Sequence, residues 1–477
     1  MNIWYCCSEA VPFCKSGGLA DVAGSLSSAW AALGQSVTLV LPLYRQIDRK
    51  RFAIEFLTRF SIELGATLYP IEVFALKSSA KTKLRVLFVD LPWAFDRGSM
   101  YGYPADYPDN AQRFAVFGRA VAELVSMQGS VEVLVGNDWQ CGALMAYLRV
   151  LAPKVLRVFC IHNLAYHGDA SLNVVPALEL EKFSHFFHYE FFGRLSSIKV
   201  GISEAALLLT VSPTYARNIQ TAEYGCGLDG LLSSRRADLH GIINGIDEQQ
   251  WQPTSKAVPV PYTAKTIGKK RDNLKRLRRQ FKLPDSPGPA FGFVGRLDTQ
   301  KGIDILVLAF EQWLTQHHGQ LLVLGAGHPA YVERLQQLKK KFPKKVGLGL
   351  QFDALLAEKI YAGCDYLVMP SRYEPCGLGQ LIAYRFGTIP IVRATGGLVD
   401  TVQDIDLSEI LPKHSGRGIV FAESTLPSLL HALDRAAELY GQAQKLKALQ
   451  QQLMKLHFTW GQSARAYLEL FEERCAA

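Results

Sequence analysis

The chain has 477 residues, of which 49% are apolar and 20% charged, with a formal net charge of +9. That length exceeds one ordinary domain and allows two or three with large cores. No apolar run approaches the roughly 18 residues that span a bilayer, and nothing at the start resembles a signal or transit peptide. Nine cysteines without framework spacing point away from a disulfide scaffold and toward free thiols in a reducing cytoplasm.

In chain order, an apolar run at 3–7 predicts a buried strand. It is followed by the turn Lys15, Ser16, Gly17, Gly18 and an amphipathic helix over 19–33. A strand, a glycine turn and a helix start form a cradle for an anion, because glycine admits close backbone approach and the first helical N–H groups are free. Further strands are expected at 37–41, 71–76, 85–89, 133–135, 157–161, 207–211 and 239–243, with helices such as 110–127 and 142–151 between them. Strands alternating with helices predict a parallel sheet with crossover helices. A stretch at 251–262 carries Pro253, Pro259 and Pro261 and reads as a linker. The basic run at 269–279 suits either one solvated helix or a face for a polyanion, and it has no interleaved aromatic residues for stacking bases. A second strand series follows at 291–294, 320–324, 346–350, 366–369 and 389–392, with helices between. The tail at 426–474 is expected to be helical. The fold class is therefore α/β, with two doubly wound Rossmann-like domains. Because such sheets bind ligands beyond the carboxyl ends of their strands, a deep cleft between the two is expected to hold the ligand.

Several turns in these positions carry chemistry. Gly295, Arg296, Leu297, Asp298, Thr299, Gln300, Lys301, Gly302 follow a strand. Their two cations suit a pyrophosphate or, alternatively, a salt-bridged loop. Ser371, Arg372, Tyr373, Glu374, Pro375, Cys376, Gly377, Leu378, Gly379 lead from a strand into a helix. There a carboxylate can take sugar hydroxyls and the helix start a phosphate. Thr395, Gly396 and Gly397 form a third glycine turn. In the first half, Asp138 beside Trp139 offers a carboxylate and an indole face to a sugar, or a cap beside a core tryptophan. His162 and Asn163 end another strand. No H-E-x-x-H, C-x-x-C, Walker, G-x-S-x-G or G-x-G-x-x-G pattern appears, so neither a metal nor a nicotinamide cofactor is expected.

These motifs, in order along nearly the whole chain, resemble the bacterial glycogen synthase and plant starch synthase family of glycosyltransferases. The matching segments are K-S-G-G-L-A-D-V, I-H-N-L-A-Y-H-G, V-S-P-T-Y-A-R, G-L-D-G-L-L, I-I-N-G-I-D, V-G-R-L-D-T-Q-K-G, P-S-R-Y-E-P-C-G-L and T-G-G-L-V-D-T-V. The resemblance implies the GT-B fold, with domains at 1–250 and 263–455, a hinge at 251–262, and a helix at 456–477 crossing back to the first domain. It implies metal-independent transfer of glucose from ADP-glucose to the non-reducing end of an α-1,4-glucan, with retention and no cofactor. Its partners would be a nucleotide-sugar and a glucan, with no nucleic acid and no membrane, in the cytoplasm or a plastid stroma. The alternatives are a related transferase using UDP-glucose and a weakly active glucan-binding homologue.

Carried over by residue, His162, Glu374, Arg296 and Lys301 are expected to be catalytic. Lys15, Gly17, Gly18, Asn244, Phe352, Cys376, Gly377, Leu378 and Gly379 would bind the donor. Asp21, Asp138, Trp139 and Asn163 would lie near the donor sugar or the acceptor. The chain departs from the family at Asn137 and Gln140 (both histidine there), Gly379 (threonine), His328 (aspartate) and Phe352 (tyrosine). These departures bear on donor preference. The residue eight after Glu374 is Ile382, so the second acid of an E-x7-E pattern is absent.

Overall fold

The computed structural model describes residues 1–77, 82–103, 105–407 and 416–476. The chain divides into two units, one formed by Met1–Gly245 with Trp460–Ala477 and the other by Ile246–Thr459.

In the first unit the expected strand series forms one sheet. Its strands are β1 (Asn2–Cys6), β2 (Ser36–Pro42), β3 (Ile54–Leu64), β4 (Thr67–Leu76), β5 (Leu84–Asp90), β6 (Val133–Asn137) and β7 (Leu156–Ile161). Three short strands, β8 (Asp169–Ser171), β9 (Glu190–Phe191) and β10 (Arg194–Ser196), make a separate antiparallel sheet. The large sheet is completed by β11 (Leu207–Thr210) and β12 (Leu239–Gly241), in the order β12-β11-β7-β6-β1-β2-β5-β4-β3. Its pairings are parallel except at one edge, where β4 runs antiparallel to both β5 and β3. The nearly all-buried strands β1, β2 and β6 suit a sheet covered on both faces. The sheet order reverses at β1 and β6, which lie side by side. The connections leaving those two strands diverge there and open a crevice at their carboxyl ends.

The last helix, Trp460–Ala476, belongs to this unit. Its Tyr467 and Phe471 rings lie 5.6 and 5.8 Å from the ring of Trp30, whose indole N–H donates to the Ala464 carbonyl at 3.2 Å. All three side chains are essentially buried, and each contributes about 1.5–3 kcal/mol by leaving water. The tail is helical as expected, in three helices, Leu426–Gly441, Ala443–Leu453 and Trp460–Ala476.

The second unit holds a parallel sheet of β13 (Ala290–Val294), β14 (Gln320–Leu324), β15 (Val346–Gly349), β16 (Tyr366–Met369), β17 (Ile389–Arg393) and β18 (Ile419–Phe421). The order β15-β14-β13-β16-β17-β18 reverses at β13 and β16. Phe291, Phe310, Trp313 and Tyr366 pack edge-to-face or stacked at 5.3–5.5 Å around Phe291.

Two expectations need correction here. The stretch at 251–262 is folded onto the second unit rather than strung out as a linker. Val258 and Tyr262 are buried, and the Tyr262 hydroxyl donates to the Phe386 carbonyl at 2.8 Å. Most of the basic run forms the helix Lys270–Gln280, but the cation that opens that helix is not solvated. Lys270 is 4% exposed, and its ammonium donates to the carbonyls of Tyr361 and Phe386 and to the Thr388 hydroxyl, at 2.7, 3.2 and 2.6 Å. Burial pulls this lysine down to about 7. No helix among the described residues is long and apolar enough to cross a membrane.

Candidate functional site

In each unit many of the residues singled out from sequence follow the strands at which the sheet order reverses. In the first unit, β1 leads to Glu9 and then to the lysine–glycine turn. Glu9 is buried, and its Oε2 accepts the backbone N–H groups of Ser16 and of Gly17, the latter at 3.3 Å. The N–H groups of the turn just before the helix are therefore engaged by a carboxylate that carried no motif. Burial raises the Glu9 carboxyl, against the pull of those N–H groups. Gly17 stands at the N-cap of the helix Gly18–Ala32 without any side-chain cap, which leaves the next N–H groups to solvent or a ligand. The Lys15 ammonium reaches Asp21 on the first helical turn, at 2.8 and 2.7 Å from its two oxygens.

The adjoining strand β6 ends at Asn137 and Asp138. Asp138 has φ 53° and ψ −174°, a conformation that costs a non-glycine residue about 1–3 kcal/mol. Hydrogen bonds hold it there. Its own N–H donates to the Cys160 carbonyl at 2.9 Å, and its Oδ1 accepts the N–H groups of His162 and Asn163 at 2.7 and 3.4 Å. Burial pushes its carboxyl up to about 7 in spite of these donors.

Asn137 fixes the histidine. Its Nδ2 donates to the Cys6 carbonyl at 2.8 Å, so its Oδ1 is the acceptor for the Tyr5 hydroxyl and for His162 Nε2, each at 2.8 Å. His162 thus carries its proton on Nε2 and a lone pair on Nδ1. Burial lowers it to about 4, so near neutral pH it accepts hydrogen bonds and does not deliver protons. The Trp139 ring packs against Phe114 at 5.1 Å and Tyr101 at 6.3 Å, and a Cβ on Gly168 would strike it at 2.5 Å. Its indole is a wall of the site rather than an open platform. Asn244 is buried, and its Oδ1 has no partner among the described residues.

In the second unit the turns after β13 and β16 meet. The Lys301 ammonium lies 2.5 Å from Glu374 Oε2, which also accepts the Ser371 hydroxyl at 3.0 Å. Glu374 Oε1 has no hydrogen bond among the described residues. Arg296 is held by Asp298 at 3.1 Å and by Gln300 at 3.0 Å, and Asp298 also accepts the Lys301 N–H at 2.9 Å. Beyond Glu374 the backbone is crowded. Gly302 (φ 69°) and Gly396 (φ 47°) are required, because a Cβ would come within 2.1 Å of the Pro370 and Glu374 carbonyls respectively. The fully buried Gln380 ties the turn together, its Nε2 donating to the Cys376 and Gly377 carbonyls and the Thr401 hydroxyl at 3.1, 2.8 and 3.1 Å. Leu378 and Gly379 open the helix Gly379–Arg385.

The structure therefore brings Lys15 to Asp21, Asp138 to His162 and Asn163, and Lys301 to Glu374, with Arg296 held on Asp298 and Gln300 of the same turn as Lys301. Phe352 is 77% exposed at the surface of its unit. Where the family has an aspartate, His328 takes over the N-cap of the helix Pro329–Lys341, its Nδ1 accepting the Ala330 N–H at 3.2 Å. Glu9 and Gln380 were not singled out from sequence, and Ser371 and Asp298 were named only as members of their turns, without a role. For Gln380 the only signal was its place one residue into the helix after the glycine turn. Among the described residues no three histidine, cysteine, aspartate or glutamate side chains group as a metal site would need.

The starch synthase catalytic domain family matches residues 2–234, and glycosyl transferases group 1 matches residues 275–452. The chain is 38% identical to a glycogen synthase of Syntrophotalea carbinolica, over 99% of each chain. It is 39% identical to one of Myxococcus xanthus, over 100% of each. Among solved structures it is similar to the catalytic domain of starch synthase IV from Arabidopsis thaliana bound to ADP and acarbose. That match has a TM-score of 0.90 and 31% identity, and covers 100% of this chain and 99% of that one. A sucrose-phosphate synthase from Thermosynechococcus elongatus, at 19% identity and a TM-score of 0.61, shares the fold. With the two-domain GT-B fold and full-length kinship of this order, the chain belongs to the glycogen and starch synthase family of glycosyltransferases.

Proposed function

We propose that this protein is a glycogen synthase, a retaining transferase that moves glucose from ADP-glucose to the non-reducing end of an α-1,4-glucan. The observation that carries the reading is the convergence of Arg296, Lys301 and Glu374 on one reversal of the sheet. Binding a glucan alone calls for no lysine held on a buried carboxylate with an arginine fixed on the same turn. The starch synthase that this chain resembles was solved with ADP, which supports an adenine nucleotide as the leaving group.

The chemistry follows from where charge develops. As the bond from the sugar C1 to the phosphate oxygen breaks, its electron pair goes to ADP and positive charge grows on the sugar. Arg296 and Lys301 stand ready for the anion, supplying the charge that would otherwise ask for a divalent ion. Asp298, Gln300 and Glu374 hold them in place beforehand, so little reorganisation is needed in the transition state. Glu374 Oε1 is available to a donor-sugar hydroxyl. His162, neutral and with Nδ1 as acceptor, positions a hydroxyl of the sugar and is not a general acid. Retention is assigned to same-face attack. The acceptor O4 bonds to C1 as the phosphate leaves, and its proton passes to the departing phosphate oxygen. Ile382, where a second acid of E-x7-E would stand, is a buried helix residue, consistent with a reaction that forms no covalent glycosyl-enzyme. Cytoplasmic action suits the nine free thiols.

The test is an assay of nucleotide release from ADP-glucose or UDP-glucose in the presence of glycogen and a chelator. Turnover with ADP-glucose is expected. Faster turnover with UDP-glucose would overturn the donor, and none with either donor would overturn the enzyme.

A further inference from the structure

We infer that Glu9 is a positioning residue that fixes the register in which the lysine–glycine turn receives the donor diphosphate. The inference rests on the reading of the chain as an ADP-glucose-dependent synthase. Glu9 is 3% exposed and spends its Oε2 on the backbone N–H groups of Ser16 and Gly17. The turn consequently has a closed and an open side. A Cβ on Gly17 would come 3.5 Å from Glu9 Oε1, whereas a Cβ on Gly18 would meet nothing within 4 Å.

The helix Gly18–Ala32 has no side-chain cap, and Lys15 and Asp21, each more than a third exposed, flank its start. An anion therefore has one approach, onto the helix start from the Gly18 side. Without the carboxylate, the N–H groups of Ser16 and Gly17 would be two further donors, and a phosphate could settle one residue too early along the turn. Engaging them with Glu9 leaves the diphosphate one register, over Gly18 with Lys15 beside it. The buried carboxylate acts through the turn and does not touch the reacting atoms. The role depends on reach, because one oxygen must span two adjacent N–H groups.

Two substitutions separate reach from charge. Glu9→Gln keeps the length and an acceptor oxygen but loses the charge, whereas Glu9→Asp keeps the charge and falls one methylene short. The KM for ADP-glucose and kcat would be measured for both variants and the wild type, with the Kd of ADP from calorimetry and melting temperature as a folding control. Glu9→Gln is expected to stay within about threefold of wild type. Glu9→Asp is expected to raise KM and the ADP Kd roughly tenfold or more, the scale of a lost charge-assisted hydrogen bond, with a smaller change in kcat. A Glu9→Asp protein that binds like wild type, or a Glu9→Gln protein impaired as much as Glu9→Asp at unchanged melting temperature, would overturn the role. Should the wild type turn over no donor, the functional reading fails, and the ADP Kd in the same three proteins still decides whether Glu9 sets the turn.

Discussion

Lys15 and Lys301 invite comparison because their local designs are so alike. Each follows a parallel strand at a reversal of its sheet, sits within three residues of a helix start, and holds a carboxylate at 2.7 or 2.5 Å. They differ in burial. The Lys15 and Asp21 side chains are 38% and 35% exposed, against 21% for Lys301 and 7% for Glu374. An exposed pair gains little from its own attraction and is free to exchange partners. A buried pair is costly to separate, because removing one partner strands the other without water. The second unit thus presents a cation already fixed where charge must be neutralised, and the first presents one that can leave Asp21 for a ligand.

The sharpest way to break that contrast is Lys301→Ala. Loss of a preorganised cation should lower kcat roughly 10²–10³-fold, and the stranded Glu374 should cost about 3 kcal/mol in urea unfolding. A kcat near wild type would make the loop a structural salt bridge and the two lysines equivalent. Next in size is Gln380→Ala, which removes the three hydrogen bonds that hold the turn after Glu374. It should destabilise the protein by about 2–3 kcal/mol and raise the KM for donor. Unchanged unfolding would show that the glycine turn holds itself.

The interior of the first site can be probed by pH. His162 lies near 4 instead of 6.5, so its contribution to stability is present above about pH 6.5 and is lost as the pH falls toward 4. Asp138 lies near 7 instead of 3.8, so its contribution is present below about pH 4 and is lost as the pH rises toward 7. Between these limits the two slopes oppose each other. Asp138→Asn should make stability rise with pH across that window, and His162→Gln should make it fall, each by on the order of 1 kcal/mol per pH unit. Slopes of the same sign in the two variants would contradict the assignment. The smallest effect belongs to Asp21→Asn, which should shift unfolding by no more than about 1 kcal/mol, and less still in high salt. A larger loss would mean that the Lys15 pair is held as firmly as that of Lys301.

Much of the architecture was readable because parallel strands buried on both faces leave short continuous apolar runs, as in β1, β2 and β14. The edge strand β3 was not, because residues 55–57 and 63 face solvent and the segment has no such run. The site was legible where a motif concentrated it, as from Arg296 to Lys301 and from Ser371 to Gly379. Glu9 escaped notice because an isolated acid between two apolar stretches has no signature until its oxygen is seen on two backbone N–H groups. The strain at Asp138 was equally hidden, since aspartate at positive φ is mostly left-handed helical and the extended ψ of −174° here is held by hydrogen bonds to residues 160, 162 and 163. The pairing of Lys301 with Glu374 spans 73 residues, a separation that local pattern does not encode.

The placement of the last helix has a consequence for synthesis on the ribosome. Residues from Trp460 onward complete the core around Trp30, yet they are translated only after the entire second unit has emerged. At elongation rates of about 5–20 residues per second this delay is on the order of ten seconds or more. For that time Trp30 lacks the Tyr467 and Phe471 rings that pack on it, while the residues of the second unit have all been made. A stop codon ahead of residue 460 would leave the amino-terminal half permanently in that nascent condition, and a premature truncation of so few residues would be expected to send it to degradation.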